Sequence, residues 1–212
     1  MSFHSKRVYY GKHVFEVPPE VYEPAEDTFL ISKSLRVRNG ARVLDMGTGC
    51  GILAVLAAEK ASRVVAVDTN PHAVACAQRN VELNGVKTKV EVRLGNLFQP
   101  IGAEERFDVI LFNAPYLPVE QCEGESWVEK AWAGGPNGRA VISKFINQAP
   151  KHLKPEGLIL LVQSTLSAVE ETLSSLEKHG FHAAVAGEEN LDFEKIVLIE
   201  ASRPPCKQQN TA

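Results

Sequence analysis

Between residues 41 and 164 the chain alternates short runs of β-branched and aliphatic residues with longer stretches whose apolar positions recur at helical spacing. That alternation predicts an α/β fold with a mostly parallel sheet, because two parallel strands can be joined only through a crossover long enough to hold a helix. The apolar runs predict strands over 42–45, 64–68, 90–94, 109–112 and 158–162, and helices over 52–60, 71–84 and 138–153. The second helix carries its own punctuation. Asn70 is placed to cap it, Pro71 suits the first helical position, and Asn84-Gly85 closes it.

After the fifth strand, residues 167–179 read as an amphipathic helix. The runs 181–186 and 195–200, separated by the polar segment 187–190, then read as a terminal hairpin, antiparallel in part. These two runs bring the expected sheet to seven strands with helices on both faces. Residues 8–15 read as a short N-terminal hairpin turning at Gly11-Lys12, part of an extension over residues 1–40. A single domain ending at residue 202 and a disordered tail over 203–212 complete the expected organisation. The long segment 119–137, with Trp127, Trp132 and the four glutamates Glu120, Glu123, Glu125 and Glu129, reads as a mobile acidic flap.

The 212 residues are 44% hydrophobic and 23% charged, an ordinary globular balance. With 23 basic and 26 acidic residues the formal charge is −3, so no broad positive field favours nucleic acid. No apolar run approaches the ~18 residues of a membrane span, and residues 1–7 lack the apolar stretch of a secretory signal, which leads us to expect a cytoplasmic protein. Cys50, Cys76, Cys122 and Cys206 are scattered, with no paired spacing and no histidine at ligand distance. They read as free thiols, and no metal site is expected.

Candidate chemistry begins at the first strand–helix turn, Asp45-Met46-Gly47-Thr48-Gly49-Cys50-Gly51. Its glycines allow a sharp turn and bring backbone N–H groups close to a ligand. Gly51 comes too early for a dinucleotide fingerprint, and the Lys-Ser/Thr of a phosphate loop is missing. Asp45 would repel phosphate but could pair with a cationic amino-acid moiety such as the ammonium of S-adenosylmethionine. Asp68, ending the second strand, stands where an acidic side chain accepts both ribose hydroxyls of a nucleoside, with helix capping as the alternative. Asn96, followed by Leu97 after the third strand, could meet an adenine amino group or could simply make a turn.

The fourth strand runs into Asn113-Ala114-Pro115-Tyr116. An amide oxygen, a backbone carbonyl and an aromatic face at the end of a buried strand can hold a planar –NH2 group. Asn113 Oδ1 and the Ala114 carbonyl would accept its two N–H bonds, Pro115 would stiffen the loop, and Tyr116 would stack on the plane.

On these motifs the chain resembles the Rossmann-like class I methyltransferases with an Asn/Asp-Pro-Pro-Tyr motif, specifically their HemK-related branch. The segments Val21-Tyr22-Glu23-Pro24-Ala25-Glu26-Asp27-Thr28-Phe29-Leu30 and Ala131-Trp132-Ala133-Gly134-Gly135 resemble archaeal and eukaryotic glutamine methyltransferases acting on class I release factors. The resemblance implies S-adenosylmethionine as cofactor and N5-methylation of the glutamine in a Gly-Gly-Gln loop. It also places Tyr22, Pro24, Ala25, Glu26 and Thr28 near the cofactor's methionine end, where the residues alone suggest only an acidic first helical turn.

Two positions depart from the pattern. Ala114 replaces a proline, which predicts a less rigid loop, and Asn96 replaces a common aspartate. The resemblance further implies a small zinc-binding activator added to the edge of the third strand, where Val90, Val92 and Leu94 alternate with Glu91 and Arg93. The charged pair could equally protect that edge. Rival readings are adenine-N6 methylation of nucleic acid, lysine methylation, and a non-catalytic scaffold suggested by Ala114.

Overall fold

A computed structural model of the protein describes residues 5–119 and 126–203. Seven strands form one mixed sheet in the order β5-β4-β3-β6-β7-β9-β8. The parallel part comprises β3 (Arg42–Met46), β4 (Arg63–Asp68), β5 (Val90–Leu94), β6 (Phe107–Asn113) and β7 (Leu153–Ser164). The terminal hairpin of β8 (His182–Asn190) and β9 (Lys195–Ser202) adds antiparallel to β7. Central strands such as β3 and β4 bury side chains on both faces, as a parallel sheet between two helical layers requires.

One layer holds α1 (Glu26–Ser34), α2 (Ile52–Ala58) and α3 (Pro71–Leu83), packed in sequence; the other pairs α5 (Ala140–Gln148) with α6 (Val169–Lys178). A stack of Phe98, Phe145 and Phe112 fixes α5 to the sheet, with ring centroids 5.6 and 4.6 Å apart. Helix α3 has the expected cap: Asn70 Oδ1 accepts from His72 N at 2.9 Å, and Pro71 is the first helical residue. No helix among the described residues is long and apolar enough to cross a membrane.

Several boundaries differ from the sequence-based expectation. The helix predicted over 138–153 covers only Ala140–Gln148, followed by one 3-10 turn over Ala149–Lys151. Gly138 has a φ of +70° and Pro150 lacks the N–H that would continue an α-helix, so both ends are trimmed. Strand β7 starts at Leu153 instead of 158 because Leu153 already pairs with Phe107 across an irregular register. The polar segment 187–190 belongs to β8, not to the turn. The strand shifts register between Val185 and Gly187, and its exposed edge position leaves its glutamates in water. The turn falls at residues 191–194. The last helix is shorter than predicted, with a 3-10 turn over Thr165–Ser167 ahead of it. Of the segment read as a mobile flap, Trp127–Trp132 forms a helical turn and half (α4), and Leu117 bridges to Ala133. Glu120, Glu123 and Glu125, and the tail over 204–212, lie outside the described residues.

The N-terminal hairpin, β1 (Lys6–Tyr10) and β2 (His13–Val17), is longer than predicted and forms a separate two-stranded sheet. A two-stranded ribbon is marginal by itself and needs packing partners. Helix α3 supplies them with two asparagines one turn apart. Asn84 Oδ1 accepts from Val14 N and its Nδ2 donates to Val14 O, while Asn80 makes the same pair of bonds to Glu16. The carboxamides stand in for a strand edge. Asn80 is fully buried and its Nδ2 also donates to Cys50 O at 2.9 Å.

Asn80→Ala would remove the amide partner of Glu16 N, Glu16 O and Cys50 O, with only Glu16 O keeping a second donor among the described residues, the Cys76 thiol at 3.1 Å; each group left unpaired costs about 1–3 kcal/mol. We expect a loss of roughly 3 kcal/mol of stability in urea titration and faster amide exchange at Glu16. A loss below about 0.5 kcal/mol, the range of an ordinary surface substitution, would show that the asparagines do not hold the hairpin.

Candidate active site

The parallel register puts the ends of four strands side by side. Met46 pairs with Val67 and with Phe112, and Asp68 pairs with Leu94. The residues that follow, Gly47, Thr69, Gly95 and Asn113, therefore open onto one cleft at the carboxyl edge of the sheet.

Backbone N–H groups bind this edge together. Thr48 N donates to Val67 O at 2.9 Å, and Gly95 N to Asp68 O at 2.9 Å. Gly47, Gly49 and Gly51 have φ of +65°, +56° and +85°, conformations open to glycine at little cost. A Cβ built on Gly51 would lie 3.2 Å from Ala77, so this glycine also lets α2 approach α3. At Gly49 a Cβ would meet nothing within 4 Å, and the space beside the loop is open to a ligand.

Asp68 is half-buried. Its Oδ2 accepts from Gly49 N at 2.8 Å and its Oδ1 from Asn70 N at 2.9 Å. Each oxygen keeps a lone pair for a further donor. Burial raises its proton affinity, and the backbone N–H groups of Asn70, Gly49 and Thr69 oppose that rise. Asp68 therefore anchors the glycine loop, while Asn70 performs the capping. Leu97, at the cleft floor, has a φ of +49°, a strained value for a leucine next to a binding surface.

Asp45 is fully buried. Its Oδ2 accepts from the Thr48 hydroxyl at 2.6 Å, and its Oδ1 has no partner among the described residues. Burial pushes its pKa up to about 7, against the pull of the Thr48 hydrogen bond. Asp45 and Gly51 stand behind the loop and not on the cleft wall. Ala25 and Glu26 face a neighbouring cavity. The cleft brings together Tyr22, Pro24, Thr28, Gly47, Thr48, Gly49, Asp68, Asn96, Leu97, Asn113, Ala114, Pro115 and Tyr116.

The other end of the cleft is a hydrogen-bonded chain. Asn113 Nδ2 donates to Thr28 Oγ1 at 3.3 Å, and the Thr28 hydroxyl donates to Asp27 Oδ1 at 3.1 Å. Asp27 Oδ2 accepts from both Tyr22 OH, at 3.1 Å, and Tyr116 OH, at 3.3 Å. Burial, reinforced by the Asp27 charge, raises the proton affinity of both phenols. With Nδ2 committed to Thr28, Asn113 Oδ1 is left buried and unpartnered among the described residues. Ala114 N donates to Val162 O at 3.3 Å, a bond that proline could not make.

Sequence reasoning passed over Asp27, which sits between two residues it had singled out. Its signal was present only as one more acid in a first helical turn. Trp127, Lys130 and Trp132 of α4 also line the cleft. The glycine-rich segment after α4 backs the acceptor loop: Gly134 N donates to Leu117 O at 2.8 Å, and a Cβ on Gly138 would lie 2.2 Å from Tyr116 O.

Comparison with known proteins accords with this geometry. A family model for ribosomal protein L11 methyltransferase (PrmA) matches residues 29–118. A putative protein N5-glutamine methyltransferase of Methanocaldococcus jannaschii is 38% identical over 187 residues, covering 87% of this chain and 93% of the relative. Methyltransferase HEMK2 of Homo sapiens is 32% identical over 193 residues, covering 84% and 89%. Among solved structures, the E. cuniculi Mtq2-Trm112 complex, described as responsible for methylation of the eRF1 translation termination factor, superposes with a TM-score of 0.64. It is 23% identical and covers 87% of this chain and 99% of the matched one. A glycine-turn cleft that ends in Asn113 and Tyr116, together with relatives of this identity and coverage, makes the chain a member of the HemK-related family of S-adenosylmethionine-dependent protein methyltransferases.

Proposed function

We propose that this protein N5-methylates the glutamine of a Gly-Gly-Gln loop in a class I peptide-chain release factor. The observation that carries the reading is the buried, unpartnered Oδ1 of Asn113 in the same cleft as Tyr116. A buried acceptor without a donor costs about 1–3 kcal/mol, and a primary amide offers the missing N–H. The names of the relatives support the same acceptor.

The residues of the cleft fit S-adenosylmethionine. The open space beside Gly49 admits a ligand, Asp68 retains lone pairs for ribose hydroxyls, and Asn96 and Leu97, which line the cleft, would meet the adenine. Tyr22, Pro24 and Thr28 would border the methionine end, with Ala25 and Glu26 behind them. The cofactor, when bound, supplies an electrophilic methyl group. The chain's own task is to orient the acceptor nitrogen and exclude water. Asn113 Oδ1 and the Ala114 carbonyl accept its two N–H bonds, which raises electron density on a nitrogen whose lone pair is delocalised. Tyr116 stacks on the amide plane, and Pro115 keeps the turn rigid. Asp27 touches no reacting atom in this scheme; it positions Tyr116 and, through Thr28, Asn113.

Asp45 lends the loop a negative field. The cationic end of the cofactor would lower its proton affinity, so binding releases a proton. In the free protein the sign is opposite: Asp45 holds its proton more tightly folded than unfolded, and its contribution to stability is lost as pH rises from the ordinary carboxylate value near 3.8 to about 7.

A small zinc-binding activator pairing with β5 completes the proposal. The outer edge of β5 has no neighbouring strand among the described residues, and Leu94 is 57% exposed there. The complex formed by the structural relative favours such a subunit. Action on a translation factor places the protein in the cytoplasm.

Labelled methyl should pass from S-adenosylmethionine to a purified release factor and not to one whose Gly-Gly-Gln glutamine is alanine. Label on both factors, or on neither with and without the activator, would overturn the assignment. In Asn113→Ala we expect kcat to fall ~100-fold or more while cofactor Kd changes less than about twofold. Asp27→Asn and Tyr116→Phe should each lower kcat about tenfold, and the double variant should lose less than the product of the two, since both break the Tyr116–Asp27 hydrogen bond. Cofactor affinity should rise between pH 6 and 7.5, and Asp45→Asn should flatten the slope in calorimetric titration.

A further inference from the structure

A second cavity, of about 270 Å³, adjoins the methyl-transfer cleft and shares Tyr22, Asp27, Tyr116 and Trp132 with it. A volume of this size holds a long side chain, far more than the ~15 Å³ that admits one water. Three aromatic rings wall it, and Glu26, Asp27 and Glu194 bring carboxylates to it; no Lys, Arg or His is among its described lining residues. The three acids are not equivalent. Asp27 is saturated by two phenols and Thr28, and Glu26 is exposed to water. Glu194 Oε2, by contrast, is buried and has no hydrogen-bond partner among the described residues.

Glu194 is also held in place. It closes the β8–β9 turn, with Leu191 N donating to its carbonyl at 2.9 Å, and the next residue donates from Lys195 N to Thr165 Oγ1 at 3.1 Å. Its charge reaches the cleft, adding to burial and to Asp27 in raising the proton affinity of Tyr22 and Tyr116. A buried carboxylate oxygen without a donor, set among aromatic faces, matches the needs of a guanidinium or ammonium group. Because the two cavities adjoin at Tyr22, Asp27, Tyr116 and Trp132, a polypeptide with one side chain beside Asn113 can bring an adjacent side chain over the second.

We propose that this cavity seats a cationic side chain, arginine or lysine, carried by the acceptor polypeptide beside its methylated residue, with Glu194 as the counter-ion. The inference rests on the polypeptide-acceptor reading above and adds a determinant of acceptor choice, a role for the terminal hairpin separate from the transfer chemistry.

The test compares two full-length release factors, one carrying arginine on both sides of its Gly-Gly-Gln segment and one carrying glutamine at those positions. The wild-type enzyme should show a KM roughly tenfold lower for the arginine form, as expected for one charge-assisted contact. Glu194→Gln should reduce that preference below about twofold, with kcat and cofactor Kd unchanged. Asp192→Asn, which alters a neighbouring exposed charge outside the cavity, should retain it. Equal KM values in the wild type, a preference undiminished in Glu194→Gln, or one lost equally in Asp192→Asn would overturn the inference. Transfer to neither factor would instead overturn the release-factor reading, so the two failures are distinguishable.

Discussion

Everything at the active edge depends on the parallel register of β4, β3 and β6. Each strand of a parallel sheet runs out at the same end, and its first unpaired residue must satisfy its backbone groups with a neighbour, a side chain or a ligand. Here Thr48 N reaches Val67 O, Gly95 N reaches Asp68 O, Gly49 N reaches the Asp68 carboxylate and Ala114 N reaches Val162 O. Those four bonds turn independent loop starts into one rim. A slip of one residue in any pairing would carry Asp68 or Asn113 to the opposite face of the sheet and dissolve the cleft.

Charge in this rim is held by enclosure. Asp45, Asp27 and Tyr116 are buried, and burial reinforced by the Asp27 charge raises the proton affinity of both phenols. Asp27 is the more economical device: one carboxylate orders Tyr22, Tyr116 and Thr28 and, through Thr28, sets which end of the Asn113 amide is free. Buried polar groups linked this way specify geometry more than they add stability.

The local signals in the sequence sufficed for much of this. Asn70-Pro71 marked a helix start by capping chemistry, the spaced glycines marked the loop, and Asn113 marked the strand end. What stayed hidden was set by distant partners. Asp27 gains its meaning from Tyr116, far along the chain, and β7 begins early because Leu153 meets Phe107. The polar residues 187–190 looked like a turn, yet an edge strand exposed on both sides imposes no hydrophobic pattern that would have declared it. The expected loss of stiffness at Ala114 also needed the structure, since the proline it replaces would lack the N–H that here extends the pairing of β6 with β7.

One side chain, Asn80, touches both the backbone of Glu16 in the N-terminal hairpin and the carbonyl of Cys50 in the glycine turn. The hairpin and the glycine turn therefore share one buried partner, although no residue of the hairpin lines the cleft. Residues 6–17 are thus joined to the glycine turn through one amide side chain, a mechanical tie to the cleft made by a segment that contributes no residue to its wall.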